Sequence, residues 1–295
     1  MKAIKQLLAY SALTPLLLLV SAKDAKASLL GIDWSINNTS NLYSIDTNTG
    51  TATLIGPTGQ ERMIGLVVDV DRTIYAINES AIGSSLWKLN PTTGSSTLVG
   101  ELGFGLQEGD MTIDPVSGDM YVANGSGDNL YIVNKGTAAA TLVGSFGAAG
   151  RDVSGLQFFD GMLYGLALRD NHPDVLGTVN IATGLFTTIG ETGTNCGVIA
   201  ALGRDPASGT TYIGCPDTDY GSDNKLYAVN LATGASVPSN ALIGVTSSIS
   251  GFSVLIPEPS SIIGLAVLGT LGGALTLKRQ LKPSKSTEKE TTKVG

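Results

Sequence analysis

Five stretches of this chain follow one pattern, and that repetition limits the fold more than any other feature of the sequence. Residues 42–50, 86–94, 130–136, 176–184 and 226–234 each alternate apolar with other residues and then place Asp or Asn at 46, 90, 134, 180 and 230. Each stretch ends at Gly, after Thr-Gly in four of the five, and each is followed by a short apolar run that also ends in Gly, at 56, 100, 144, 190 and 244. The steps along the Asp/Asn column are 44, 44, 46 and 50 residues. A period of two is the mark of a strand with one covered face. Asp or Asn opens a turn because its side chain accepts from backbone N–H groups just ahead, and Gly closes it in the left-handed conformation.

A second pair of strands precedes each hairpin, for example 64–71 with 73–78 and 111–114 with 120–124. Four short antiparallel strands in about 45 residues make a β-propeller blade. No single blade buries both its faces, so blades must stack around an axis. The first unit holds only three strands before Gly56, while 249–255 is a spare strand at the end of the body. The expectation is therefore an all-β propeller of five four-stranded blades over residues 28–256, closed by its C-terminal strand. A flat sandwich and a β-solenoid fit the four-strand period less well.

Composition supports a β protein: 38 glycines and 42% hydrophobic residues accompany only 15% charged ones. The net charge of −7 hides an asymmetry, since residues 28–256 carry 8 Lys+Arg against 21 Asp+Glu. A body this acidic argues against nucleic acid, which demands a cationic surface.

Both ends read as addresses. Lys2 and Lys5 precede an apolar run at 7–20, and Ala25-Lys26-Ala27 follows, so 1–27 is laid out as a signal peptide cleaved before Ser28. Pro257-Glu258-Pro259 is followed by 18 uncharged residues at 260–277 and then Lys278-Arg279. As a helix that stretch is about 27 Å long, enough for a thin bilayer, and the basic flank favours the cytoplasmic side. These three parts resemble the PEP-CTERM sorting signal of bacterial exported proteins: a Pro-Glu-Pro motif, one hydrophobic helix and a basic cluster. The resemblance implies recognition by an exosortase-type membrane peptidase, a membrane anchor through the C-terminal transmembrane helix before processing, and delivery to the cell envelope, cell surface or extracellular matrix. On this reading 257–280 is the sorting segment and 281–295 a disordered cytoplasmic tail.

Cys196 and Cys215 flank a turn centred near Asp205–Gly209, which sets them opposite or nearly opposite on two antiparallel strands. A disulfide is expected there in an oxidising compartment; reduced thiols or a metal pair without any His partner are the alternatives. His172, the only histidine, sits in a polar loop and reads as a solvated residue, which removes His-rich metal sites. Asp217, Asp219 and Asp223 place oxygens at alternating positions, as calcium requires, but the EF-hand Glu position holds Ala228 and a polar turn explains the same residues. No other cofactor is expected.

Asp33, Asp69, Asp114, Asp205 and Glu108 are the carboxylates that a propeller channel would use as an acid/base pair, and Trp34, Trp87 and Tyr220 the aromatics for sugar stacking or for packing between blades. The leading expectation is a non-enzymatic surface or matrix protein that binds envelope polysaccharide or protein. The rival is a glycosidase or lyase acting on exopolysaccharide, which needs a channel carboxylate pair about 5–9 Å apart. A purely structural module is the third.

Overall fold

The computed structural model describes residues 27–216 and 224–255. Among the described residues the elements are all β-strands, arranged as five four-stranded antiparallel sheets. The described part opens with three strands of blade 1: β1 (Ser28–Trp34), β2 (Asn41–Asp46) and β3 (Thr51–Pro57). Blade 2 is β4 (Met63–Val68), β5 (Ile74–Asn78), β6 (Ser85–Leu89) and β7 (Ser96–Glu101). Blade 3 is β8 (Gly109–Ile113), β9 (Met120–Asn124), β10 (Asn129–Val133) and β11 (Ala140–Ser145). Blade 4 is β12 (Val153–Phe159), β13 (Met162–Ala167), β14 (Val175–Val179) and β15 (Phe186–Glu191). Blade 5 is β16 (Ala201–Arg204), β17 (Thr211–Pro216), β18 (Asn224–Val229) and β19 (Ser236–Ala241). The last strand, β20 (Ser248–Leu255), returns to pair with β1 and completes blade 1 in the order β20-β1-β2-β3. Ser28 is the register partner of Leu255, so the two ends of the ring meet in one ladder.

The first strand of each blade touches the first strand of the next, so β20, β4, β8, β12 and β16 surround the axis. Neighbouring strands approach closely at glycines. A side chain at Gly251 would sit 2.7 Å from the Leu66 nitrogen, and one at Gly65 would sit 3.0 Å from the Met111 nitrogen. Short polar side chains serve the backbone of the neighbouring strands instead. Asp110 accepts from Leu156 N (2.9 Å) and Met111 N (2.8 Å), Ser253 from Val68 N (2.9 Å) and Ser154 from Ala200 N (3.2 Å). Ser250 donates to Met63 O and Ile32 O. Buried backbone groups at the axis are thereby satisfied, as a water-poor interior demands. Hydrophobic clusters fill the spaces between blades, one of them joining Ile77, Leu86, Met111, Val122 and Val133.

The repeated residues have two jobs. Asp46, Asn90, Asn134, Asn180 and Asn230 accept from the backbone N–H two residues ahead, each at 2.9 Å, so the turn reading holds. The glycines, however, form the seam between blades. A Cβ at Gly56 would fall closer than 3.0 Å to Thr93 O, and one at Gly94 equally close to Gly56 O. The same apposition joins Gly144 to Gly184 and Gly190 to Gly234. A β-bulge at Ile55, Val99, Val143 and Ile189, immediately before each seam glycine, bends the outer strand toward its neighbour. Backbone bonds fasten it: Ser96 N to Thr58 O, Phe186 N to Phe146 O, Ser236 N to Thr192 O, and Ala52 N to Ile243 O across the ring closure.

Two sequence expectations change. In blade 3 the left-handed closing position belongs to Ala138 (φ 63°), not Gly136, because Asn134 opens a turn of the same length as the others and its fifth residue is Ala. Cys196 does not open a strand: β16 begins at Ala201, and Cys196 lies in the preceding loop. The expected transmembrane helix falls outside the described residues, among which no helix is long and apolar enough to cross a membrane.

Candidate functional site

The ring has two unlike ends. One carries the tight turns within blades. The other carries the loops that lead from blade to blade and the loops between second and third strands. The five carboxylates proposed for catalysis divide between them. Asp69 takes Lys135 Nζ at 2.6 Å. Asp114 holds a turn through Val116 N (2.8 Å) and Ser117 Oγ (3.1 Å), and Asp205 does so through Ser208 N (3.0 Å) and Ser208 Oγ (2.7 Å). Asp33, at the loop end, accepts from Tyr43 Oη (2.9 Å) and Thr246 Oγ1 (3.1 Å) and is fully buried. All four have structural work.

Glu108 differs. It precedes β8 at the loop end, where Asp152, Asp170, Glu79 and Asp128 approach it from blades 2, 3 and 4. Burial and then the repulsion of those four carboxylates push its carboxyl up to about 7. Burial, followed by Asp128, also raises Asp152. Glu79 is raised by burial against the opposing pull of the Trp34 indole N–H and Arg62, which stands 3.5 Å away. Trp34 is itself buried, with the Arg62 guanidinium 5.8 Å from its ring centroid, and Trp87 is half-buried with its indole N–H on Asn78 Oδ1 at 3.2 Å. Neither is a free stacking platform.

Beside Glu108, between blades 3 and 4, lies an open cleft of about 710 Å³. Charged side chains of both signs line it, among them Asp128, Arg151, Asp152, Arg169, Asp170 and Glu191, together with His172. The walls are pinned from below: Asp152 N donates to Asp128 Oδ1 (3.1 Å) and Leu168 N to Asp152 O (3.0 Å). Sequence reasoning named Glu108 and placed His172 in one polar loop with Arg169 and Asp170, but joined neither to Asp128 or Arg151. The available signal was the repeat frame: 125–128 and 168–174 fill the same slot in adjacent units, so they must meet on the ring.

Cys196 and Cys215 form a disulfide with Cα atoms 5.0 Å apart. It ties the loop before β16 to the end of β17. Asp174 supports that loop, taking Thr194 Oγ1 (3.0 Å) and Cys196 N (2.9 Å), and its burial pushes its carboxyl up to about 6. Pro257, Glu258, Pro259, Lys278, Arg279, Tyr220 and the calcium candidates Asp217, Asp219 and Asp223 lie outside the described residues. Among the described residues no three His, Cys, Asp or Glu side chains are gathered so as to hold a metal ion.

The architecture defines a five-bladed β-propeller with its glycine seams at the outer strands and its charged cleft at the loop end. The chain belongs to the family described as "Repeat of unknown function (DUF6923)", whose model matches residues 67–251. No curated protein matches the sequence. Among solved structures, the chain is similar to one in the crystal structure of a nidogen/laminin complex, with 14% identity over 78% of this chain and 99% of the other and a TM-score of 0.51. It is also similar to the PQQ-bound aldose sugar dehydrogenase of Streptomyces coelicolor, with 14% identity over 78% and 89% of the two chains and a TM-score of 0.46. At 14% identity the likeness to the nidogen/laminin structure concerns the fold alone.

Proposed function

We propose that this protein is an exported, non-enzymatic β-propeller of the cell envelope or extracellular matrix, sorted through its C-terminal Pro257-Glu258-Pro259 signal, that binds polysaccharide or protein there. The observation that carries the reading is the ordered set of addresses at the two ends: a signal-peptide layout over 1–27, and Pro-Glu-Pro, an uncharged stretch and Lys278-Arg279 at the other end. Two further features support it. The Cys196–Cys215 disulfide suits an oxidising compartment, and the body carries 21 acidic against 8 basic residues, as suits a soluble exported domain.

The test is intact-mass spectrometry of the protein recovered from the envelope and medium of its native host, with and without reduction. A chain that starts at Ser28 and ends within 257–261 is the expected result. A chain that keeps 262–295 makes the tail a permanent anchor and removes processing from the reading, and a chain that keeps 1–27 removes the cleaved signal peptide. Glu108 favours a second reading, a glycosidase or lyase, because a carboxyl held near 7 among other carboxylates has the properties of a general acid. Release of reducing ends from exopolysaccharide that disappears in Glu108→Gln would establish that alternative.

A further inference from the structure

The chain enters and leaves its ring at one place. In blades 2 to 5 the first strand runs from the loop end to the turn end and there turns back into the second, as at Asp69–Arg72 and Asp205–Gly209. Blade 1 lacks that turn: β20 finishes at Leu255, and β1 starts at Ser28, its register partner. Both ends of the ring therefore stand at the turn end. A hollow of about 370 Å³ fixes the placement, since Ser253 and Val254 line it together with Val70 and Pro115 from the turns of blades 2 and 3. Bulky apolar side chains project there. Val116 is 89% exposed and Val70 81%, and Met162 and Ile181 of blade 4 are half-exposed. Tight turns favour Gly, Asn, Asp and Ser, and at such exposure Val70 and Val116 add nothing to packing within the ring. Beyond Leu255, only residues 256–259 precede the uncharged stretch at 260–277. Four residues reach at most about 14 Å.

We propose that, while the chain is anchored, the turn end of the propeller lies against the lipid surface, with Val70, Val116 and Met162 entering the headgroup layer and the charged cleft of the loop end opening away from it. The inference rests on the reading of 260–277 as a membrane segment. With that stretch in a bilayer, the short reach from Leu255 holds the turn end at the surface, and its apolar tips gain by leaving water. Charge plays no part. Lys135 and Arg204 at this end are paired with Asp69 and Asp160, while Asp71 and Asp114 belong to the same turns as Val70 and Val116. Anionic lipid therefore brings no added attraction. The loop end also exposes apolar residues, Ile36 and Ile82, but the ends of the ring do not lie there.

The test uses the full chain, carrying a fluorophore on Val116→Cys or on Ile82→Cys, reconstituted into phosphatidylcholine vesicles that contain a headgroup nitroxide quencher. Both side chains are exposed, Ile82 at 97%, so labelling leaves the ring intact. Fluorescence should be lost at 116 and kept at 82, and added phosphatidylglycerol should leave that difference in place. Flotation with the vesicles reports the membrane segment separately. A chain that floats but is quenched equally at both sites, only at 82 or at neither overturns the orientation and leaves the anchor standing. A chain that does not float removes the anchor, and the orientation with it.

Discussion

At the turn end of the ring, Asp71, Asp160 and Asp205 have carboxyls below the usual range. Asp71 takes Thr73 N–H, Asp160 takes Arg204, and hydrogen bonds from Ser208 outweigh burial at Asp205. At the loop end, Asp33, Glu79, Glu108, Asp110, Asp152 and Asp174 are all raised, in every case by burial first. One chain thus places its lowered carboxylates in turns and its raised ones where burial is deep, at the loop end and, for Asp110, beside the axis. The turn end also holds the repeated Asn and Thr-Gly residues, while the loop end holds segments that differ in length and charge from blade to blade. Self-similarity marks the part that maintains the ring, and divergence marks the part free to acquire a ligand.

The sharpest way to break this comparison is to put a side chain into a seam. Gly94→Val drives a branched Cβ against the Gly56 carbonyl and asks a β-branched residue to hold φ 75°. A loss of about 3 kcal/mol is expected in a denaturant titration. Gly83→Ala, at a loop-end glycine with nothing within 4 Å, should cost less than about 0.5 kcal/mol. Equal losses in the two would mean the seam does not carry the ring.

The disulfide supports the loop end, where no repeated seam does. Cys196→Ala/Cys215→Ala opens a link across 19 residues, and a loss of about 2–4 kcal/mol is expected, read as a drop in thermal midpoint that reductant reproduces in the wild type.

Acidification should separate the two ends electrostatically. A carboxyl whose folded pKa exceeds its unfolded value contributes stability that is full below the unfolded value and lost as pH rises through the folded one. For Glu108 that window runs from 4.5 to about 7, and for Asp174 from 3.8 to about 6. The thermal midpoint should therefore rise as pH falls from 8 to about 5, and Glu108→Gln should flatten the upper part of that rise. At lower pH the protonation of Asp160 and Asp205 acts in the opposite direction. A midpoint that falls steadily from pH 8 would contradict the picture of strained loop-end carboxylates.

Most of the ring was legible because its logic is local and repeated. The Asp/Asn column at 46 to 230 gives the turns, and the spare strand ending at Leu255 gives the closure. The seam was not legible, since the Gly56–Gly94 contact joins residues of different blades and the bulge at Ile55 leaves no mark in a period of two. The cleft was legible only in part. Arg151 and Arg169 stand in loops with no shared motif, and only the three-dimensional frame brings them together.

The smallest effect is expected at Ala138, where the seam departs from its own rule. It stands in the left-handed slot that Gly94, Gly184 and Gly234 occupy in other blades, with φ 63°. An L-residue there costs about 1 kcal/mol in backbone strain. Yet Ala138 is fully buried and packs in the cluster that contains Val133 and Leu106, and its methyl contributes about 0.8 kcal/mol by leaving water. The facing Gly100 meets the Thr137 carbonyl as the other seam glycines meet their threonines, a Cβ built there falling 2.6 Å from Thr137 O, and its missing side chain leaves space for the Ala138 methyl, 3.3 Å from that position. Strain and burial nearly cancel, so Ala138→Gly should change stability by less than about 0.5 kcal/mol in either direction. A loss above about 1 kcal/mol in a denaturant titration would show that this seam has been rebuilt around the methyl group, and that between blades 2 and 3 side-chain packing adds to the backbone contact that joins the others.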